Sequence, residues 1–395
     1  MPNPSNHSLK KHVYERIAHS GTASKADLLE YFPITSSSMT RVLEELLEQQ
    51  LILVSGLGTS TGGRKPILFQ TNPHYRYVLG LEISRLRSSL GLFDLHLNPL
   101  SAVRWEMDQS LTPERLVELV GNAVQEMLHN QQITAGQILG LGVGAVGPLD
   151  AQAGIILQHE LFPSDAWSNV PICRMLEQRL QLPVKLDSGA NTALLAEHWA
   201  LRDDACKNVL YVHAGVNIRS SIMSGGQLVR GTANTEGAIG QIIIQSGGRR
   251  LGFKGNYGAL EAYVSLPSLE ERVQSQLRMG RESSLSALPP EHVHFPALVE
   301  ALAQQDALVR EIFLETASYL GIGLANIINT VHPEYIIVDG ALVNADPIVY
   351  QTAVQIARKN IYQYPDYNPV FSPGILGEES PMTGAALQIL RSWEI

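Results

Sequence analysis

Two short stretches carry side chains suited to gripping an anionic polymer. Ser36, Ser37, Ser38, Thr40 and Arg41 fall within six residues, and Arg64 and Lys65 follow Gly62 and Gly63. Short hydroxyls let a helix approach phosphates and base edges closely, and a helix N-terminus favours anions. An Arg behind two glycines can enter a minor groove that a bulkier segment could not. Both stretches point to contact with double-stranded DNA.

The elements needed to position them can be read around them. Val13, Ile17 and Ala18 recur at helical spacing over 8–19, and Ser20-Gly21-Thr22 breaks that helix. Ser24 is a good N-cap for a short second helix to Tyr31, with Leu28 and Leu29 inward and Pro33 as a stop. A third helix over 35–49 has the apolar stripe Met39, Val42, Leu43, Leu46 and Leu47. That stripe leaves the hydroxyls and Arg41 on the first turn and outer face. Three such helices fit a plain packing module as well as a helix-turn-helix. The residues beyond Gln49 decide between them. Strands at 51–54 and 67–69 flank a long, Gly-rich, basic tip at 56–66, which reads as a wing. Pro66 biases Lys65 towards an extended backbone. Residues 1–75 are therefore expected to be a winged helix-turn-helix, with the third helix in the major groove.

A chain of 395 residues has room for two or three domains of about 100–200 residues. Hydrophobic residues at 45% and charged residues at 17% suit a soluble globular protein. The net charge of −9 is unfavourable for DNA as a whole-chain figure, but residues 1–75 carry +1 and the remainder −10. Phosphate contacts need local positive charge, not a basic whole chain. Cys173 and Cys206 alone make neither a disulfide framework nor a thiolate zinc site. No window holds the roughly 20 consecutive apolar residues of a membrane span, and the N-terminus lacks the apolar segment of a secretory signal. A cytoplasmic location is expected.

From Tyr77 the pattern changes to strands and helices. Strands are predicted at 77–83, 88–94, 98–105, 138–144, 183–187, 208–213, 218–223, 240–245 and 335–339. Helices are predicted at 112–129, 171–181, 190–200, 308–330, 346–360 and 383–392. Three successive strands followed by alternation imply an α/β fold with a mixed sheet. The pattern runs twice with a break near 190–205, which implies two lobes around a cleft. The Pro- and Ser-rich stretch 281–295 reads as a loop, and Trp167 as a packing anchor.

Several motifs occur in an order that resembles the repressor branch of the ROK family (repressors, open reading frames and kinases). The most specific is Ser60-Thr61-Gly62-Gly63-Arg64-Lys65-Pro66, followed by a strand and Asn72. Supporting it are Gly144-Ala145-Val146-Gly147-Pro148-Leu149-Asp150, the run from Asn326 to Pro333 before a strand, and Gly384-Ala385-Ala386 opening the last helix. The resemblance covers nearly the whole chain. It implies a two-lobed, actin-like sugar kinase (ribonuclease H-like) fold behind the winged helix-turn-helix. The first lobe would span 76–190, completed by a C-terminal helix at 380–395, and the second 191–379.

The same resemblance shows what has changed. The kinases' Asp-x-Gly-Gly-Thr phosphate loop reads Glu82-Ile83-Ser84-Arg85-Leu86 here. Their catalytic Asp corresponds to Gly189 in Ser188-Gly189-Ala190-Asn191, and glycine cannot accept a proton. Their second phosphate loop reads Gly215-Val216-Asn217-Ile218-Arg219. The segment that holds sugar and opens a zinc site reads Gly237-Ala238-Ile239-Gly240-Gln241, and the three cysteine positions fall on Gly252, Lys254 and Ala259. None of these is a usual zinc ligand. No catalytic residue, metal or cofactor is therefore expected. Gly147, Asp187, Asn191 and Glu236 remain as candidate ligand contacts; as ordinary structural polar residues they would need no ligand. The expected function is regulation of carbohydrate uptake or metabolism genes, through operator DNA bound by a homodimer or homotetramer. A carbohydrate effector or a protein partner would control it. A sugar kinase carrying an added DNA-binding domain is the enzyme alternative.

Overall fold

The computed structural model describes residues 6–59, 65–157, 162–203, 205–231, 236–252, 255–362 and 366–394. At the N-terminus, helices Asn6–Ser20, Lys25–Tyr31 and Ser36–Glu48 precede a hairpin of strands Ile52–Leu57 and Ile67–Thr71. Ser24 caps the second helix reciprocally: its hydroxyl accepts from the Asp27 amide, and the Asp27 carboxylate accepts from the Ser24 amide. Met39, Val42, Leu43 and Leu46 bury completely against Val13, Ile17 and Leu28, while Ala18, Leu29 and Leu47 sit half-buried at the rim. The two-residue strand Ala23–Ser24 joins the hairpin as a third strand, Ala23 opposite Phe69. Two residues are too few to show any periodicity in sequence. The predicted strand at 51–54 continues to Leu57 because the register slips at Gly56, whose φ of 149° accommodates the bulge.

Two five-stranded mixed sheets come next, built to one plan. The first runs, edge to edge, Pro99–Glu106, Arg87–Asp94, Tyr77–Ile83, Ile138–Ala145 and Val184–Ser188. The second runs Gln227–Leu228, Ile218–Ser224, Val209–Ala214, Tyr335–Asp339 and Val370–Ser372. In each, three antiparallel strands lead into two parallel ones. The repeat inferred from the strand pattern is thus a repeat of topology. Central strand Tyr77–Ile83 is apolar along almost its whole length because helices cover both faces, whereas edge strand Pro99–Glu106 alternates. Helices Pro113–Asn130 and Ile172–Leu180 cover the outer face of the first sheet. Helices Leu266–Arg278, Phe295–Ala303, Ala307–Val331 and Pro347–Asn360 build the second core. Trp167 is buried, donates to the Leu111 carbonyl at 2.9 Å and stacks on Phe162, so it anchors packing as expected.

Some predicted elements differ. No strand forms at 240–245. Residues Glu236–Gln241 make a 3-10 turn, and Ile243 makes one isolated bridge to Ala259. The apolar run Ile242-Ile243-Ile244 mimics a strand, but glycines at 247, 252, 255 and 258, all with positive φ, keep the neighbouring chain turning. Short 3-10 turns at Ser284–Ala287 and Pro290–His292 interrupt the expected loop at 281–295. The last helix begins at Ser380, not 383, with Pro381 in its first turn. Helix Ala307–Val331 is long and apolar enough to cross a membrane by length and composition only. Its apolar residues are instead buried in the second core.

Helix Ser380–Ser392, here termed the closing helix, lies flush on the first sheet and against helix Gly189–Leu201. A Cβ at Gly142 would fall 1.8 Å from the Ala385 carbonyl oxygen, and one at Gly80 2.1 Å from that of Met382. One at Gly384 would fall 1.7 Å from the Thr192 carbonyl oxygen. Just past its end, Trp393 stacks on Tyr75 (6.2 Å between centroids) and meets Tyr14 edge-on, and Lys11 donates to the Arg391 carbonyl at 2.9 Å. The closing helix thereby ties the N-terminal helices to both sheets. Gly142→Ala should cost more than the roughly 1–3 kcal/mol typical of overpacking, because the obstacle is backbone. Gly136→Ala, which meets nothing within 4 Å, should stay within about 0.5 kcal/mol of the parent. Urea unfolding of both variants measures the difference, and equal stabilities would refute this account of the closing helix.

Candidate functional site

The hydroxyl-rich turn is exposed as the sequence implies. Thr35 is the N-cap of helix Ser36–Glu48, accepting from the Ser38 amide at 3.2 Å and sharing hydrogen bonds with the Ser37 and Ser38 hydroxyls. Ser36, Ser37, Ser38 and Arg41 are exposed, and Thr40 is half-buried, donating to the Ser36 carbonyl at 3.0 Å. Arg41 lies 3.4 Å from Glu45 one turn on, a solvent-screened pair that a stronger anion can displace. Lys25, on the preceding helix, hydrogen-bonds Thr40 and so adds a cation to this face. It is not among the residues assigned from sequence, because only the packing of the second helix on the third brings it there. Lys65 is exposed at the base of the hairpin, where the Gly58 amide donates to the Pro66 carbonyl at 2.8 Å. Arg64 lies outside the described residues.

Three of the four candidate ligand contacts can be placed. Asp187 ends strand Val184–Ser188 and is almost wholly buried. It accepts from Asn191 at 2.8 Å and from two nitrogens of Arg230 at 3.2 and 2.5 Å. Asn191 in turn accepts from the Ser221 hydroxyl at 2.7 Å. Asp187 and Asn191 are thus together, but engaged with each other and with the second sheet. Gly147 lies in the turn after strand Ile138–Ala145. Glu236 opens the 3-10 turn, and its side chain lies outside the described residues.

A cavity of about 290 Å³ lies between the two sheets. Its wall takes Glu82 and Arg85 from the first half and His213, Arg219 and Asp339 from the second. Gly147, Asp187 and Asn191 do not line it. Burial pushes the Glu82 carboxyl up to about 7, against the opposing pull of Arg219 and Arg87. Burial, then Arg219 and Arg85, hold the His213 imidazole well below its ordinary pKa, so it is neutral. Asp339 is also raised by burial and is engaged by Asn344 at 2.9 Å. Arg87 pairs with Glu378 at 2.5 Å across the cleft mouth. Gly189 opens helix Gly189–Leu201 and does not line this cavity. A Cβ there would lie 3.2 Å from Arg219 Nη1, so a guanidinium stands beside this position.

Gln241, at the position of the zinc-binding histidine implied by the resemblance, donates to Glu261 at 3.0 Å and accepts from the Asn256 amide at 2.9 Å. Gly252 and Ala259 offer no donor, and Lys254 lies outside the described residues. These residues do not fit a zinc ion, and hydrogen bonds close the loop instead. Glu261 is not among the residues assigned from sequence. Burial raises its carboxyl despite nearby Arg85. A single Glu inside an apolar helix start was its only sequence signal.

Two sheets of one topology, helices crossing between them and a charged cleft define the two-lobed class to which sugar kinases belong. The ROK family pattern matches residues 78–391, and the chain belongs to that family. A putative xylose repressor of Caldicellulosiruptor sp. (strain Rt8B.4) is 26% identical over 346 residues, covering 84% of each chain. The DNA-binding transcriptional dual regulator NagC of Escherichia coli (strain K12) is 25% identical, covering 85% of this chain and 81% of its own. Among solved structures, a ROK family transcriptional regulator, a homologue of the E. coli MLC protein, superposes with a TM-score of 0.76. It is 23% identical and covers 98% of this chain and 96% of its own. A ROK hexokinase from Thermus thermophilus superposes with a TM-score of 0.63 at 26% identity, over 79% of this chain and 97% of its own.

The Glu82 environment has a measurable consequence. With a folded pKa near 7 against an ordinary 4.5, the folded chain holds this proton more tightly than the unfolded one. Its contribution to stability is therefore full below about 4.5 and is lost as pH rises to about 7. Glu82→Gln mimics the protonated form. The variant's melting temperature, relative to the parent's, should rise between pH 5 and pH 8. A difference independent of pH would contradict the assignment.

Proposed function

We propose that this protein is a DNA-binding transcriptional regulator, a repressor of carbohydrate uptake or metabolism genes, and not an enzyme. Residues 1–75 form a winged helix-turn-helix. Residues 76–190 with 380–395, and residues 191–379, form the two lobes of a catalytically inactive effector and assembly domain. The observation that carries this reading is the exposed hydroxyl and cation face of helix Ser36–Glu48, joined to a body in which Gly189 stands at the catalytic position. The relatives named as repressors support it. So does the contrast in coverage, since the hexokinase fold stops at 79% of the chain and the regulator fold reaches 98%. Turnover in the cleft would need a base to take the hydroxyl proton.

In this reading Ser36, Ser37, Ser38, Thr40 and Arg41 meet the major groove, with Lys25 beside them. Arg64 and Lys65 meet the adjoining backbone and minor groove. A homodimer, or a homotetramer built from it, places two such helices on a palindromic site one or two turns apart. The protein works in the cytoplasm without a cofactor.

Fragments selected from the source genome by the full chain should bind with a steep salt dependence, read by fluorescence anisotropy. Arg41→Ala should cost about 1–3 kcal/mol on the selected fragment and flatten discrimination against base changes. Lys65→Ala should weaken all sequences alike and reduce the salt slope by about 1. Affinity unchanged in both variants would sink the assignment of helix and wing.

A further inference from the structure

A larger cavity lies away from the cleft, where the N-terminal unit of helices and hairpin meets the body. It holds about 590 Å³, against about 290 Å³ for the cavity between the sheets. Helix Asn6–Ser20, with Tyr31 and Phe32, makes one side of it. The other side is made by Trp199 near the end of helix Gly189–Leu201, the turn at Gly226 and Gln227 on the edge of the second sheet, and the last turns of the closing helix with Trp393. The N-terminal unit and both halves of the body therefore share one void. Protein interiors are close-packed, and concave spaces of roughly 300–1,000 Å³ are the ones that enclose small molecules.

The lining is aromatic and basic. Tyr14, Tyr31 and Phe32 come from the N-terminal unit, Trp199 and Trp393 from the body. Two of these rings are already held by cations: the Arg202 guanidinium lies 3.7 Å from the centre of Trp199, and that of Arg16 4.3 Å from the centre of Tyr31. Lys11 and Arg391 stand on opposite sides of the seam, with Glu15 as the one carboxylate on the lining among the described residues. The Lys11 ammonium donates to a neutral acceptor, the Arg391 carbonyl. Arg391 feels Glu15 as a nearby charge, but neither Lys11 nor Arg391 forms an ion pair among the described residues. Aromatic walls with two such cations suit a flat ring system that carries a negative charge.

We propose that this cavity binds a planar aromatic carboxylate, clamped between helix Asn6–Ser20 and the end of the closing helix. The ring system lies among the aromatic side chains, and the carboxylate takes the Lys11 ammonium and the Arg391 guanidinium, one from each side of the seam. Because both sides contribute, the ligand binds while the N-terminal unit is seated on the body and stabilises that arrangement by mass action. The site is separate from the cleft between the sheets, since no residue lines both cavities. It also stands apart from the regulator reading, because its occupancy is measured without DNA.

The test is isothermal titration of the full chain with three probes of one ring system: 1-naphthoate, neutral 1-naphthalenemethanol and cationic 1-naphthylmethylammonium. Saturable binding of naphthoate is expected, with each of the other two weaker by about tenfold or more. Arg391→Gln and Lys11→Gln should each weaken naphthoate by about threefold or more, and Trp199→Ala by about tenfold. Glu15→Gln removes a repelling carboxylate from an exposed position and should tighten naphthoate by about twofold, an effect that damage to the fold would not produce. No saturable binding of naphthoate, equal affinity for the neutral or cationic probe, full affinity in Arg391→Gln or Lys11→Gln, or weaker binding in Glu15→Gln overturns the proposal.

Discussion

The rest of the structure depends on backbone touching backbone where the closing helix meets the first sheet and helix Gly189–Leu201. Gly80 and Gly142 lie on adjacent strands, and Gly384 on the helix itself, and a side chain at any of them would strike a carbonyl oxygen. Such contact leaves little slack. The helix cannot slide without lifting off both strands, because packed interiors rearrange in steps and not continuously. Its two ends reach different places. Gly377, Glu378 and Pro381 line the cleft, and Trp393 packs between Tyr75 and Tyr14 of the N-terminal unit. Glu197 fixes the cleft end by accepting the amides of Ile375, Leu376 and Gly377 at 2.6, 2.9 and 3.1 Å. A rigid rod about 20 Å long thus joins the charged cleft to the helices proposed to hold DNA.

How far this was legible in sequence depended on the range of the forces involved. The third helix could be read because its stripe from Met39 to Leu47 has one strong period. The central strands could be read because burial on both faces leaves unbroken apolar runs. The helices at 266–278 and 295–303 were missed in a stretch rich in Ser, Pro and charge. The false strand at 240–245 came from three isoleucines whose neighbouring glycines overrode their propensity. Motif comparison located the altered positions 85, 189, 219 and 241, but not which of them touch. The meeting of Arg219 with position 189 joins residues 30 apart on different elements. Lys25 beside Thr40, and Glu261 beside Gln241, depend on packing in the same way. Asp187 and Asn191 were recognised as a polar pair, but their partner Arg230, 43 residues from Asp187, carried no local signal.

On the proposed reading, the cleft has changed use with few substitutions. The position of a base that must accept a proton is a glycine, the two loops that must approach phosphate closely each carry a guanidinium, and hydrogen bonds of Gln241 close the loop that would hold a metal. Each change removes a requirement of group transfer and leaves the two-sheet frame intact, since the frame is held by the glycine contacts of the closing helix and not by the cleft.

The closing helix also follows the entire second half in chain order, although the sheet it covers is complete by Ser188. During synthesis the inner face of that sheet, with Val78 and Phe93, must stay uncovered while nearly two hundred residues of the second half emerge. Exposed apolar sheet of this kind is a target for chaperones and a starting point for misassembly. The order of elements along the chain therefore obliges the N-terminal helices to wait for Trp393, so that a nascent chain cannot seat its N-terminal unit before the whole second half has been made.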